Sequence, residues 1–316
     1  MNKKDNISNI FQYFLAVIVF LSNYLSAFPN PAKEIISIVE SDEFKNYWYQ
    51  GKAELTKFEL EQARYGEIHK GHAVLIFVTE PFLTDKQVKF ELGDNSSAIT
   101  VLKLNASRYF YTGIYPYSIL TSVFTPVDLY HWPNTLKVTN SNQEWCGQTY
   151  TQFNFRDKNY NIIKHSYFQK EADEAFQLPD AILENEIWTR IRLSPHNLPI
   201  GDLRIIPASH FSRLKHIDTK IYDAVAKISS TEDQSLSDKP LQLYELDYKN
   251  LDRKLVIFFE KSFPFSIVGW EENYQSGWGE NVKTLATKAR KTNTVFTDYW
   301  TKNSVADSTF RKMLGL

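Results

Sequence analysis

The sequence predicts a mainly β fold in which an antiparallel meander forms a curved open sheet or half-barrel with few short helices. Aromatic residues are abundant, with 18 Tyr and 22 Phe in 316 residues, and aromatic side chains favour strands. Short apolar or alternating segments recur between turn-forming residues along the chain, which is typical of antiparallel β structure. Strands do not alternate with long helices, so a parallel α/β sheet is not expected.

The clearest strand pattern lies in residues 135–168, which we interpret as three short strands joined by two turns. From Trp145 onward, odd positions are mostly apolar or β-branched and even positions are rich in amides. This period of two is typical of a half-buried strand. We therefore expect Trp145 and Phe153 on the buried face, with turns at residues 140–142 and 156–159.

The other segments follow from their hydrophobic patterns. Continuous apolar runs at residues 73–78 and 255–259 indicate strands covered on both faces. Residues 218–228 fit a helix or a strand equally well. Further strands are expected at residues 51–66 (exposed), 86–92, 98–104, 109–125 (two strands with a bend at 113–116), 188–193, 241–248, 265–270 and 284–300, and short helices at 32–40, 181–184 and 304–316.

Residues 1–27 have the pattern of a secretory signal peptide. Lys3 and Lys4 precede an unbroken apolar run at residues 14–21, and Leu25-Ser26-Ala27 forms a cleavage triplet. The alternative is a membrane anchor, but the run is shorter than the ~20 residues that span a bilayer. The sequence therefore predicts export to the periplasm or beyond, with no integral membrane span after cleavage.

The exported chain divides into two β-rich halves. We place them at residues 28–195 and 196–316, separated near a Pro- and Gly-containing loop, with one continuous β domain as the alternative. Cys146 is the only cysteine, so no intramolecular disulfide is possible and we expect a buried structural thiol.

Charge and motifs exclude several function classes. Lys and Arg (36) balance Asp and Glu (37), so nucleic acid is not an expected partner. The sequence contains no glycine-rich phosphate loop, His-Glu-x-x-His, Cys-x-x-Cys or Gly-x-Ser-x-Gly motif. No catalytic residue, metal ligand or cofactor is assigned on this basis.

Three pairs of residues that contain histidine or arginine are candidate metal or anion sites. His69 and His72 would face opposite sides of a strand, so we expect a solvated pair. His216 and Asp218 would share a strand face but lack a third ligand. Arg190 and Arg192 would also share a face, which could hold an anion, but an exposed basic face is the simpler interpretation.

Glu271 and Glu272 lie between aromatic residues, as carboxylates do in sugar-processing sites. Adjacent residues of a strand point to opposite faces, so the pair cannot converge on one substrate atom. We therefore favour a solvated turn.

Aromatic residues are densest at residues 109–124 and 258–278. This density predicts an aromatic trough on the concave face of the sheet, for an acyl chain or for an apolar segment of an envelope protein. The alternative is that these rings fill a large core. The candidate ligand-binding residues are Tyr115, Tyr117, Trp270 and Trp278.

Five stretches together resemble a family of secreted bacterial envelope proteins that often carry the label septum formation inhibitor Maf. They lie at residues 48–55, 65–67, 113–118, 143–148 and 269–272. Many members have a lipoprotein cysteine after the signal, which this chain lacks. The resemblance implies an envelope location and no catalytic residue.

Three functions remain. The leading hypothesis is a non-enzymatic binding or scaffolding protein of the cell envelope, and the alternative is an extracytoplasmic hydrolase. A nucleotide pyrophosphatase comes third and rests on the family label alone, because the Ser-x-Ser-Pro-Arg-Arg type phosphate-binding turn of true Maf proteins is not found.

The signal peptide leads to a prediction about the mature protein. Cleavage after Ala27 should give a soluble chain that begins near Phe28. Intact-mass analysis of the exported protein checks this, and recovery of the uncleaved chain in the membrane fraction would show an anchor instead.

Overall fold

The computed structural model of this protein describes residues 38–316. The predicted signal peptide and most of the predicted helix at residues 32–40 lie outside the described residues. No helix in the described range is long and apolar enough to cross a membrane.

Strands dominate the described residues, in agreement with the predicted fold class. They are β1 (Ala53–Arg64), β2 (Glu67–Leu83), β3 (Val88–Lys89), β4 (Ala98–Thr112), β5 (Tyr115–Pro126), β6 (Lys137–Glu144), β7 (Gly147–Arg156), β8 (Asn159–Ser166), β9 (Glu174–Pro179), β10 (Ile182–Leu183), β11 (Gly201–Ile206), β12 (Tyr222–Thr231), β13 (Leu241–Tyr248), β14 (Arg253–Glu260), β15 (Ile267–Ser276) and β16 (Lys283–Thr297).

All of these strands belong to one open sheet. Its order is β10-β11-β12-β13-β14-β15-β16-β1-β2-β4-β5-β6-β7-β8-β9, and β3 pairs with β2 off this path. Neighbours are antiparallel except β10 and β11, which pair in parallel. Because β16 pairs with β1, strands from both halves of the chain share this sheet.

Four short α-helices lie wholly within the described residues: α1 (Asp42–Trp48), α2 (Glu184–Leu193), α3 (Ser209–Lys215) and α4 (Ser308–Leu314). Ser41 caps α1 by accepting a hydrogen bond from the Phe44 amide at 3.1 Å, which satisfies one of the free N–H groups of the first turn. Helix α4 confirms the short helix predicted at the end of the sequence.

Helix α2 lies inside the curve of the sheet. Thr189 of α2 bonds Thr125 of β5 at 2.6 Å, and Glu184 of α2 pairs with Arg253 of β14. Six strand-to-strand steps separate β5 from β14 in the sheet order, which is about 29 Å along the sheet at ~4.8 Å per step. A helix is only about 10 Å wide, so the sheet must curve around α2.

The central meander is confirmed as β6, β7 and β8, but one turn and one side chain were predicted wrongly. Residues 140–142 lie within β6, and the first turn falls at Trp145 and Cys146. Because Trp145 lies in this turn, it does not follow the alternation of the strand, and it is 69% exposed. Phe153, within β7, is 2% exposed as predicted.

The largest error concerns residues 188–193, which form the end of helix α2 rather than a strand. Nine of the ten residues of this helix are buried, including Glu184 and Arg192. A surface helix shows apolar residues with a period of 3.6 because one side faces solvent. Helix α2 is buried on all sides, so its sequence lacks this pattern and was interpreted as a strand. The helical turn predicted at residues 181–184 likewise begins only at Glu184, after β10.

Smaller differences concern strand limits. The predicted strand at residues 86–92 is reduced to Val88–Lys89. Residues 51–66 do form a strand, but most of its residues are buried or half-buried because it lies at the centre of the sheet. The ambiguous segment at residues 218–228 mostly forms β12.

The opposite environments of two aromatic residues lead to a stability prediction. Replacing Phe153 with Ala should lower the free energy of unfolding by ~3 to 5 kcal/mol, as large-to-small core changes do. The matched change Trp145→Ala, at an exposed turn, should stay within about 0.5 kcal/mol. Urea titration of both variants is the measurement, and equal losses would contradict the assigned strand faces.

Candidate functional site

Charged side chains bind α2 to the inside of the sheet. Arg192 is 1% exposed and donates hydrogen bonds of 2.7 and 2.6 Å to the two oxygens of Glu54 on β1. Its guanidinium also lies 5.0 Å from the Trp48 ring centroid and 4.7 Å from that of Phe77. Burial raises the pKa of Glu54, but the charge and hydrogen bonds of Arg192 outweigh burial and hold it below its usual value. Arg192 is therefore an internal partner of Glu54, not part of an exposed basic face.

A second ionic group joins the start of α2 to β4, β14 and β15. Arg253 donates to both oxygens of Glu184 and, at 3.2 Å, to Glu272. Arg108 donates to the other oxygen of Glu272 at 2.7 Å. Tyr248 donates to Glu184 at 2.5 Å. Since Glu272 is 2% exposed and lies on β15, the solvated turn predicted for Glu271 and Glu272 is wrong.

His210 of α3 adds a titratable group to this ionic cluster. Its Nε2 lies 3.7 Å from Glu272 Oε1. Burial, together with the charge of Arg108, lowers the pKa of His210 despite the opposing effect of Glu272. The adjoining cavity of about 20 Å³ holds about one water molecule, so the cluster holds the fold together rather than binding an acyl chain. The cavity is lined by Ala73, Leu75, Leu104, Ala106, Ser107, Arg108, Ile119, Thr121, Val123, Asn185, Trp188, His210 and Trp270.

A different group of residues forms the candidate functional site. At one end of the sheet, turns and loops from six places in the chain bring aromatic rings into contact. We call this group the aromatic rim, and it consists of Tyr65, Tyr115, Trp145, Tyr167, Phe168, His216 and Trp278.

The first half of the rim joins four hairpins. The rings of Trp145 and Tyr115 stack with centroids 6.3 Å apart. The hydroxyls of Tyr115 and Tyr65 lie 3.0 Å apart, and the Tyr65 ring lies 5.3 Å from that of Trp278. Burial and the hydrogen bond with Tyr65 raise the pKa of Tyr115 to about 12. The four hairpins are thus connected by ring contacts and a hydroxyl hydrogen bond.

The second half of the rim lies on two loops, between β8 and β9 and between α3 and β12. The His216 ring lies 6.2 Å from that of Trp278 and 5.8 Å from that of Phe168. The Phe168 ring in turn contacts the ring of Tyr167. The Tyr167 side chain lies 2.8 Å from the position that a Cβ atom on Gly147 would occupy. Gly147 lies two residues after Trp145, so the contacts return to their starting point, and a larger residue than glycine would displace Tyr167.

Two buried arginines support the rim from below. Arg64 lies 4.3 Å from the Tyr65 ring centroid and 5.1 Å from that of Trp278. Its Nη2 donates to the Tyr117 hydroxyl at 3.3 Å. A cation facing an aromatic ring is attracted by the ring's quadrupole, so Arg64 helps to fix the rings of Tyr65 and Trp278.

Arg213 of α3 holds the other half. It donates to Glu144 at 3.1 Å and lies over the Phe168 ring at 4.1 Å. His216 Nδ1 lies 2.6 Å from Glu171 Oε1. Burial raises the pKa of Glu171, but the hydrogen bonds from His216 and Ser166 outweigh it and hold the pKa below its usual value. The carboxylate of Glu171 therefore stays ionised and orients the imidazole.

An open groove of about 1180 Å³ runs beside the rim. It is lined by Trp278, Phe168 and His216 of the rim, by residues 217–219 of the α3–β12 loop and by the start of β9. The rim keeps large apolar surface in water, with Trp145 at 69%, Tyr167 at 78% and Trp278 at 51% exposure. Exposed apolar surface that is clustered in this way is typical of a binding site.

The four predicted ligand-binding residues separate into two places. Tyr115 and Trp278 belong to the rim, and Tyr117 lies buried beneath it against Arg64. Trp270 lies in the core, 4.9 Å from the Phe58 ring and 5.1 Å from the Trp188 ring. The concave face that was expected to carry an open trough is occupied by α2 within the described residues.

Other sequence predictions need correction. Cys146 is exposed rather than buried. His69 and His72 are half-buried on β2, and the His72 ring stacks on that of Tyr109 at 5.5 Å. His216 ends helix α3 and bonds Glu171 rather than sharing a strand face with Asp218.

Two further observations bear on the remaining predictions. Arg190 of α2 pairs with Glu186 at 3.0 Å, so it too has an internal partner. Within residues 38–316 no group of three or more His, Cys, Asp and Glu side chains could hold a metal ion.

Comparison of this chain with protein-family models, with curated proteins and with solved structures finds no match. The resemblance to the envelope family therefore stays a prediction, and the functional argument depends on the geometry of the rim.

The buried position of His210 leads to a pH prediction. Its pKa is lowered from 6.5 on folding, so the unfolded chain binds more protons, and the free energy of unfolding should fall as the pH decreases through about 6.5. The lowered pKa values of Glu54 and Glu272 remove stability only below their usual value of 4.5. Urea titrations at about pH 7.5 and 5.5 measure the His210 effect together with that of His72, whose pKa is also lowered by burial, and a His210 variant separates the two.

The variant His210→Gln should flatten this pH dependence. The matched control is His165→Gln, because the His165 side chain is 59% exposed, and His210→Gln should change the slope more than this control does. An unchanged slope in His210→Gln would contradict the assignment.

Proposed function

We propose that this chain is an exported binding or scaffolding protein of the cell envelope, and that it binds its partner at the aromatic rim and the adjoining groove. Export is supported by Lys3, Lys4 and the apolar run at residues 14–21. The binding role is supported by the rim, where fixed aromatic side chains remain exposed beside an open groove.

The arrangement of the rim favours binding because its aromatic side chains are held in place before a partner arrives. Arg64 holds the rings of Tyr65 and Trp278 by cation–π contacts, and Arg213 holds that of Phe168. Side chains that are already ordered lose little conformational entropy on association. Tryptophan, tyrosine and arginine are also the residues that contribute most binding energy at interfaces.

A hydrolase is the second candidate, supported by the His216–Glu171 pair at the edge of the groove. A carboxylate that orients an imidazole is part of many nucleophilic sites. However, Cys146 is a poor nucleophile here, because its contact with Glu144 raises the pKa of the thiol and keeps it protonated. Ser166 donates to Glu171 at 2.9 Å instead of bonding His216. The pair therefore supports binding better than catalysis.

Two tryptophans of equal exposure allow a test. Trp278 on the rim is 51% exposed, and Trp300 is 49% exposed outside it. The probes are lauric acid, a soluble peptidoglycan fragment and an unstructured cationic peptide, each followed by tryptophan fluorescence. We expect at least one probe to bind, and Trp278→Ala to weaken its affinity about tenfold or more, since interface tryptophans contribute ~2 kcal/mol or more.

The matched variant Trp300→Ala should bind the same probe with wild-type affinity. Urea titration of both variants shows whether they are equally folded. No binding by any probe, or equal losses in the two variants, would contradict the rim as the binding site.

A further inference from the structure

Strand β9 is the free edge of the sheet on the side of the groove. It pairs with β8 along one edge, and no described strand pairs with its other edge. Glu174 and Ala175, at its start, line the groove together with Phe176. An unpaired strand edge presents a row of backbone N–H and C=O groups that another chain can bond.

The register identifies which groups are free. The Asp180 amide donates to the Lys158 carbonyl at 3.2 Å, which makes residues 180 and 158 a hydrogen-bonded pair. Hydrogen-bonded and non-hydrogen-bonded pairs alternate in an antiparallel ladder, so Phe176 and Leu178 bond to β8 and the backbone groups of Ala175 and Gln177 point away from it. Both residues are exposed.

The side chains of β9 fit this orientation. Phe176 and Leu178 pack against the main core, which fixes the strand in position without the help of a second neighbour. Pro179 ends the strand and has no N–H to donate. The free edge therefore offers two N–H groups, at Ala175 and Gln177, which suits a short added strand.

The charge of the groove selects the partner. Asp173 and Asp218 have side chains that are 73% and 80% exposed, and carboxylates outnumber lysines among the lining residues. Opposite charges on two surfaces favour their association and set its specificity. The carboxylates are Glu171, Asp173, Glu174 and Asp218, and the lysines are Lys164 and Lys170. Glu171 is bonded to His216 and Glu174 to Lys164. Among the described residues, Asp173 and Asp218 pair only with the exposed side chains of His165 and Lys220; such surface pairs are worth little, so a basic partner can replace them.

We propose that β9 takes up an extended, cationic peptide segment of a partner protein by strand addition, with the Ala175 and Gln177 backbones bonding the added strand and the groove carboxylates holding its basic side chains. Main-chain hydrogen bonds then give affinity, and the groove gives specificity. This inference rests on the proposed binding function and names its partner class.

The test uses fluorescent twelve-residue peptides in which lysine alternates with Val, Leu or Phe. We expect at least one peptide to bind the wild-type protein. The same peptide with all backbone amides N-methylated, or with glutamate in place of lysine, should bind at least tenfold more weakly. Failure of every lysine peptide to bind overturns the proposal.

Two variants at one position separate the backbone from the side chain. Gln177→Pro removes an outward N–H, and the ring should be tolerated because Pro179 already stands on the same side of the strand. Gln177→Ala keeps the N–H and is the matched control. We expect Gln177→Pro to weaken peptide binding about tenfold and Gln177→Ala to leave it unchanged, and equal effects would overturn strand addition.

Hydrogen exchange gives a readout in the unmodified protein. Bound peptide should slow exchange of the Ala175 and Gln177 amides, while the Phe176 and Leu178 amides, already bonded to β8, should change little. Protection at rim residues without protection at Ala175 and Gln177 overturns the inference.

The proposed function has a separate outcome. If lauric acid or the peptidoglycan fragment binds in a manner that depends on Trp278 while every lysine peptide fails, the inference is overturned and the binding function stands.

Discussion

The fold depends on the burial of charged side chains where helix α2 meets the sheet. Glu184 and Arg192 are each 1% exposed, and they pair with Arg253 and Glu54 on strands from different parts of the sheet. Taking an ion out of water costs several kcal/mol, which only close pairing with further hydrogen bonds can offset. Both arginines meet that condition by donating to two carboxylate oxygens. These pairs also fix the orientation of α2, because any rotation or slip would leave a charge buried without its partner.

This arrangement decides where the protein can bind. Once α2 occupies the concave face, the remaining cavity admits about one water molecule. An acyl chain therefore has no room on that face, and the aromatic rim and the β9 edge offer open surface at one end and one edge of the sheet. The same helix α3 that places His210 in the buried cluster places Arg213 and His216 at the rim. The seven-residue helix α3 therefore connects the buried ionic cluster with the aromatic rim.

Much of the fold could be predicted from sequence, because period-two alternation and turn residues reflect a local constraint. The meander of β6, β7 and β8 shows this, and so do the continuous apolar runs in β2 and β14. Helix α2 could not be predicted, since its Glu and Arg residues are buried only because distant strands supply opposite charges. The rim was found in part: aromatic density indicated Tyr115 and Trp278, but not Phe168 or His216. Those residues reach the site through loops, and only the sheet order reveals which turns share an end.

Because the sheet is open, the outer edge of β9 has no neighbouring strand among the described residues. A closed barrel would have no free edge. Bulges and charged side chains along an edge strand usually prevent it from pairing with another chain. Here Phe176 and Leu178 pack against the main core, so β9 is anchored without a second neighbouring strand. Its short length and Pro179 limit the free edge to a few outward N–H groups. Glu171, Asp173 and Glu174 line the groove at the start of the strand. A strand that is anchored on one side, open on the other and negatively charged at its entrance is suited to an extended cationic chain more than to a flat apolar surface.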